Sequence, residues 1–178
     1  VGFMGNIASY KEDLELLTEL AKISPKLSFV FIGPIGSGEM RTDIDELEKM
    51  RNVYFLGPKD YFDLYKYFKF IDVAIIARRL NKANEGGFPL KYFEYLSAGL
   101  PVVVTNVRTL HDFSLVSELG GIAKDATGFK ERIEYWIKLR KNDPKEWEKY
   151  QKFRLKVARR NSWEERMEDL NRLIGASK

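Results

Sequence analysis

Lys91 and Glu94 stand three residues apart in the segment NEGGFPLKYFEYLSAGLPVVV, residues 84–104, just behind two glycines and a proline. At helical spacing such a pair shares one face. Pro89 suits the first turn of a helix, where its missing N–H costs nothing. Lys91 would then lie near the positive end of that helix, where an anion is already favoured. Glu94, one turn deeper, could accept hydrogen bonds from two neighbouring hydroxyls, as a ribose offers. Gly86-Gly87 would let the backbone come close to a ligand. The competing reading is a plain surface Lys-Glu pair, worth about 0.2–0.5 kcal/mol. Tyr92, Phe93 and Leu96 of the same run read as core.

Two further stretches carry suitable chemistry. Arg78-Arg79-Leu80-Asn81-Lys82 follows an apolar run, and its guanidinium forks match the oxygens of a diphosphate. Gly5-Asn6-Ile7-Ala8-Ser9 is a small-residue loop between an apolar run and a helical pattern. Its backbone N–H groups could approach a phosphate, helped by the helix dipole. The loop is neither a Walker A sequence nor GxGxxG, so a plain turn is the alternative there, as a solvated charge run is for the arginines. His111, and Ser37 with Glu39 in the glycine-rich loop 35–39, are weaker candidates. Trp136, Trp147 and Trp163 are assigned to packing.

The elements that must position these residues can be read from periodicity. Apolar runs at 1–5, 27–32, 53–56, 73–77 and 101–105 read as buried strands, with a last short one at 120–123. Helical patterns are expected at 14–23, 43–50, 60–70 (with Phe62, Leu64, Tyr65 and Phe68 on the apolar side) and from Pro89 onward. Three more should close the chain, at 126–141, 144–158 and 162–174, the last opening on a Ser162/Glu165 capping box. Strands without polar alternation, each followed by a helix, imply an α/β fold with a doubly wound, mostly parallel sheet and a helical C-terminal tail. Such sheets bind ligands outside the strands' carboxyl ends. This directs attention to the loops after Met4, Ile32, Leu56, Ala77 and Thr105.

Composition sets outer bounds. The 178 residues are 44% hydrophobic and 31% charged, which suits one ordinary globular domain. No cysteine is present, so disulfides and thiolate chemistry are excluded. A single histidine argues against a histidine metal site or a Ser-His triad. The net charge of +4 suits an anionic small molecule, a membrane surface or a nucleic acid, and selects none of them. The chain opens on Val inside an apolar run, from which we expect a piece of a longer protein.

At this point a resemblance becomes specific. FPLKYFEYLSAGLPVVVTN resembles the donor-binding segment of GT-B glycosyltransferases of the group-1 type, with its Pro-Leu-Lys and its Glu-Tyr-Leu…Gly-x-Pro-Val-Val pattern. VGFMGNI, FVFIGP, NVYFLGP, DVAIIARRLN and the closing SWEER match in order, so the resemblance covers essentially the whole chain. It implies a Rossmann-like half of a GT-B fold: residues 1–178 as one donor-nucleotide-sugar-binding domain, with an N-terminal acceptor domain outside them. Glu94 would hold the ribose, Lys91 the diphosphate, and Gly5 and Asn6 would face the phosphates. Pro58, in the loop after Gly57, would lie near the base, and Arg78 and Arg79 near the phosphates or the sugar. Phe88 and Leu90 of the Phe-Pro-Leu-Lys segment, with Gly87, complete the expected donor contacts.

Two departures from the family pattern matter. Many members carry two glutamates seven residues apart, but here the first falls at Gly86, so Glu85 would have to reach the sugar from a shifted loop. Many also carry an arginine and a lysine in the first loop and helix, where this chain has Asn6 and an offset Lys11. Weight therefore moves to Arg79 and Lys91.

The resemblance implies transfer of a glycosyl group from a nucleoside diphosphate sugar to an acceptor hydroxyl of a lipid-linked or polysaccharide acceptor. Lys91 and Arg79 would stabilise the leaving diphosphate. No metal or cofactor is expected. Expected partners are the donor, the acceptor and the N-terminal domain of the same protein. The location expected is the cytoplasm, at the inner face of the membrane if the basic tail touches it. Rival readings are a nucleotide-sugar epimerase of the same architecture and a non-catalytic binding module; nucleic-acid binding is not expected.

Overall fold

The computed structural model describes residues 1–82, 84–114 and 116–175. Six strands form one wholly parallel sheet: β1 (Gly2–Met4), β2 (Phe29–Ile32), β3 (Val53–Phe55), β4 (Ala74–Ile76), β5 (Val102–Val104) and β6 (Gly120–Ile122). Their order is β3-β2-β1-β4-β5-β6. The chain thus winds outward from β1 to one edge, returns to the middle at β4, and winds to the other edge. The strand order reverses between β1 and β4, and there a crevice opens at the carboxyl ends.

Successive side chains of a strand point to opposite faces, and here both faces are apolar. Phe3, Phe31, Ile75 and Val103 enter one core with Leu17 of α1 (Leu14–Ile23) and Phe129 and Trp136 of α6 (Ala126–Asn142). Met4, Ile32, Ile76, Val102 and Val104 enter the other with Tyr92, Tyr95 and Leu96 of α4 (Lys91–Ser97). This explains why the strands lack polar alternation in the sequence.

Local signals set the longer helices. The Asp13 side chain caps α1 by accepting from Leu16 N–H, and Asp125 caps α6 through Gly128 N–H. Asp143 and Pro144 open α7 (Pro144–Arg160), and α8 (Trp163–Gly175) follows, with Ser162 Oγ accepting from Glu165 N–H at 3.4 Å. Arg154 locks α7 onto the segments that lead into β5 and β6. Its fully buried guanidinium donates to Gly99 O at 2.9 Å and Glu118 O at 3.1 Å, and lies against both the Trp136 and Trp147 rings. Burial pulls its pKa down to about 10.

Three sequence expectations need correction. The helix expected at 43–50 is a single turn, α2 (Asp45–Glu48), whose three acids leave Leu47 as the one side chain buried within it, with Ile44 buried just before it. The helix expected at 60–70 is a 3₁₀ turn (Tyr61–Asp63) and a short α3 (Tyr65–Phe68). Phe62 and Tyr65, expected inside, are exposed, and Leu64 and Phe68 do the packing. Trp163 is 67% exposed rather than packed. The segment after Thr105, which shows no clear pattern in sequence, holds two 3₁₀ turns and α5 (His111–Ser114).

Candidate functional site

The crevice begins where β1 and β4 part. Gly2 N–H donates to Val73 O at 2.9 Å, and Gly2 pairs with Ala74. One step on, the Tyr95 hydroxyl replaces the β4 backbone: Met4 N–H donates to it at 2.7 Å, and it donates back to Met4 O at 3.3 Å. Burial holds the Tyr95 phenol far above its usual pKa, so it stays neutral and bridges the gap. Beyond it the chain turns through Gly5, whose φ of 132° suits glycine.

Lys91 fills the space that a side chain at Gly5 would take; a Cβ there would stand 3.3 Å from its Nζ. The ammonium lies 3.9 Å from the centre of the Phe3 ring. It pairs at 2.8 Å with Glu12, not with Glu94. The Lys91 and Glu94 that the sequence places on one helix face are therefore engaged in two different places. Lys91 and Gly5 meet at the crevice. Glu94 instead accepts from the Tyr61 hydroxyl at 3.4 Å, at the edge of a hollow of about 260 Å³ walled by Tyr61, Phe62, Tyr65 and Phe68. The Glu94 charge, with burial and this hydrogen bond, raises the Tyr61 pKa.

Across the crevice lies a cleft of about 440 Å³, lined by Arg78, Arg79, Lys82, Glu85, Asn106 and Arg108 among others. Its floor is braced from below. Thr105 Oγ1 accepts from Arg78 N–H and donates to Arg78 O, both at 3.0 Å. Asn84, 6% exposed, donates to Tyr10 O at 2.7 Å and Arg79 O at 3.0 Å. Gly87 is pressed on the Arg78 guanidinium: a Cβ there would stand 2.5 Å from Nη2. Thr109 donates to Gly87 O at 3.1 Å and ties the loop to the end of β5. With four cations and one carboxylate among the named lining residues, the cleft favours an anion.

The remaining sequence candidates fall as follows. Asn6 exchanges two hydrogen bonds with the Ser37 backbone, which fastens the loop after β2 to the loop after β1. Glu39 accepts from Ser9 N–H at 2.8 Å and Ser9 Oγ at 2.7 Å, and from Thr42. Burial works to raise the Glu39 pKa, but the hydrogen bonds from Ser9 and Tyr10 and the charge of Arg79 together lower it. Ser37 and Glu39 thus brace the loop after β1. Phe88 stacks on Phe93 at 5.5 Å under the Arg166 guanidinium, while Leu90 and Pro58 are exposed. His111 Nδ1 lies 3.3 Å from Asn106 Oδ1. Among the described residues, no three His, Asp or Glu side chains gather as metal ligands. A larger hollow of about 880 Å³ sits beside β6 and α6, joining the cleft at Asn106.

Four residues of the site escaped the sequence reading. Tyr95 reads as one more core aromatic, and Glu12 as part of a polar helix start. Arg108 lies in a loop the sheet pattern flags without distinguishing its residues. Tyr61 lay in a segment misread as a regular helix.

Comparison with known proteins agrees with the resemblance. The family model described as "Glycosyl transferases group 1" matches residues 1–154. A relative from Bacillus subtilis (strain 168), named as a teichuronic acid biosynthesis glycosyltransferase, TuaH, is 36% identical over 108 residues, which is 60% of this chain and 26% of the relative. Among solved structures, S. aureus TarM, in complex with fondaparinux, alpha-GlcNAc-glycerol and UDP, superposes with a TM-score of 0.69 at 19% identity, covering 97% of this chain and 34% of its own. Sucrose-phosphate synthase from Thermosynechococcus elongatus gives a TM-score of 0.69 at 20% identity, covering 99% and 46%. At these identities the two structures share the fold. The chain spans less than half the length of each of these three proteins.

Proposed function

The chain belongs to the group 1 glycosyl transferases, and from that premise we propose that it is the donor half of a GT-B hexosyltransferase. It holds a nucleoside diphosphate sugar, from which the sugar passes to an acceptor hydroxyl of a glycan or lipid-linked acceptor. One observation carries this reading: the Lys91 ammonium stands beside Gly5 at the reversal of strand order, next to a cationic cleft. In this reading Lys91 meets the diphosphate, with Arg78 and Arg79 alongside. These cations offset the charge that builds on the leaving group, and a preorganised cation acts there without having to rearrange. Glu94 takes the two ribose hydroxyls once Tyr61 releases it. Glu85 at the cleft rim is the group nearest a sugar role; Gly5, Asn6, Gly87, Phe88, Leu90 and Pro58 complete the donor wall.

The acceptor, and the base that activates it, belong to an N-terminal domain in the same protein. The donor is a substrate, and the reading needs no resident cofactor. UDP in the TarM complex makes a uridine donor the first to try. Among the described residues no helix is long and apolar enough to cross a membrane. Cytoplasmic action at the membrane's inner face, with the basic tail as contact, is part of the proposal.

The test is calorimetric titration with UDP, GDP and ADP, of the chain and of Lys91→Ala and Glu94→Ala. We expect one nucleotide to bind, and each substitution to weaken it by at least about 1 kcal/mol, the scale of a charge-assisted hydrogen bond. A folded chain that binds none of the three, with the full-length protein equally inert, would sink the reading.

A further inference from the structure

Glu12 has no task in the function just proposed, yet it is the most deeply placed acid of the site. It is 2% exposed. The backbone around it joins the two loops of the crevice: Glu12 bridges to Arg78, Asp13 N–H donates to Ala77 O at 2.7 Å, and Arg79 N–H donates to Lys11 O at 2.8 Å. Oε1 accepts from Lys91 at 2.8 Å, while Oε2 is buried with no partner among the described residues. A buried carboxylate satisfied at one oxygen is a poor stability device, and an apolar side chain would serve packing better.

Lys91 gives the arrangement a use. Its side chain is 18% exposed, and one side of the ammonium is covered by the Phe3 ring. An ammonium has three N–H donors, and Glu12 takes one. A charge so enclosed is costly unless a partner of opposite sign pairs with it. The titratable and charged groups around it are Glu12 from the loop before α1, Glu94 and Tyr95 on its own helix, and Arg78 across the backbone bridge, whose guanidinium turns to Gly87. Of these, Glu12 touches the ammonium.

We infer that Glu12 is a positioning residue: it pairs with Lys91 and fixes its ammonium beside Gly5, with the remaining donors turned to the diphosphate. The inference rests on the reading that Lys91 meets that diphosphate. It predicts that the effect of Glu12 on nucleotide affinity runs through Lys91 and disappears where Lys91 is gone, which the effect of a merely structural acid would not do.

The experiment measures the dissociation constant of the tightest binder among UDP, GDP and ADP. The proteins are the chain itself, Glu12→Gln, Glu12→Asp, Lys91→Met and the double variant Glu12→Gln/Lys91→Met. We expect Glu12→Gln to weaken binding at least fivefold. Glu12→Asp should recover most of the loss. In the Lys91→Met background Glu12→Gln should add nothing, because Glu12 acts through Lys91. Should Glu12→Gln alone fail to fold, the double variant, which removes both buried charges together, makes the same comparison against Lys91→Met. Loss that persists in the Lys91→Met background, or that Glu12→Asp fails to recover, overturns the inference and leaves Glu12 structural. Glu12→Gln binding like the unmodified chain overturns it too, provided Lys91→Met weakens binding. If Lys91→Met binds undiminished, or no nucleotide binds, the functional reading itself falls and the inference with it.

Discussion

Removing one oxygen atom at Tyr95 should destabilise the chain measurably, whereas removing the equivalent atom at Tyr92 should not. Both phenols are buried on α4, three residues apart. The Tyr95 hydroxyl receives Met4 N–H at 2.7 Å and gives its own proton to Met4 O at 3.3 Å. Tyr95→Phe leaves both backbone groups without that partner inside the sheet. An orphaned buried donor costs about 1–3 kcal/mol, and the ring itself is unchanged, so little cavity energy is added. The Tyr92 hydroxyl has no partner among the described residues. Tyr92→Phe deletes a desolvated, unsatisfied group and should be neutral or slightly stabilising. Urea denaturation followed by tryptophan fluorescence separates the two cases: a lower midpoint at unchanged slope for Tyr95→Phe, and no drop for Tyr92→Phe. Equal effects from both substitutions would refute the claim that the Tyr95 hydroxyl serves the Met4 backbone in place of β4. Because Met4 precedes Gly5, nucleotide affinity should fall with Tyr95→Phe as well.

Two further outcomes are expected. Glu39 has a lowered pKa in the folded chain, so its contribution to stability is present above its unfolded value of 4.5 and is lost as pH falls through the folded value. Melting temperatures of Glu39→Gln should therefore fall less steeply below pH 4.5 than those of the unmodified chain; parallel curves would dismiss the brace at Ser9. Arg154→Leu leaves Gly99 O and Glu118 O without their charged donor, and should cost at least about 2 kcal/mol in the same urea assay. A loss below half of that would mean that Trp136 and Trp147 hold α7 unaided.

How much of this was legible depended on which interactions were local. β-Branched runs such as Val102–Val104 declare a strand buried on both faces, and Asp125 and Asp143 announce their helices by capping within a few residues. Lys91, Gly5, Arg78 and Gly87 were identified from their positions after strands, and the fold brings them to the crevice in pairs. The contacts between partners distant in sequence were not legible. Lys91 reaches back to Glu12 across 79 residues, and Tyr95 to Met4 across 91. A spacing rule sees Lys91 and Glu94 as a pair, but burial decides the partner: Glu12 is inside with the lysine, whereas Glu94 is at the rim with Tyr61. The exposed aromatics at Phe62 and Tyr65 misled for a related reason, since helical periodicity does not tell which face meets a neighbour.

The strand order also dictates a folding schedule. β2 and β3 lie close to β1 in sequence and can pair with it early, and β5 and β6 can extend β4 in the same way. The centre of the sheet is different, because Gly2 must find Ala74 across everything between them. That closure is costly in entropy for the open chain and less so once β2 and β3 have paired onto β1, which leaves the stretch from Phe55 to Ala74 to close. During synthesis the first wing must wait for residue 74 to leave the ribosome. The crevice is the join of the two wings, so a chain that shows nucleotide binding has also brought them together, and ligand should act as a selective trap for molecules that have finished folding.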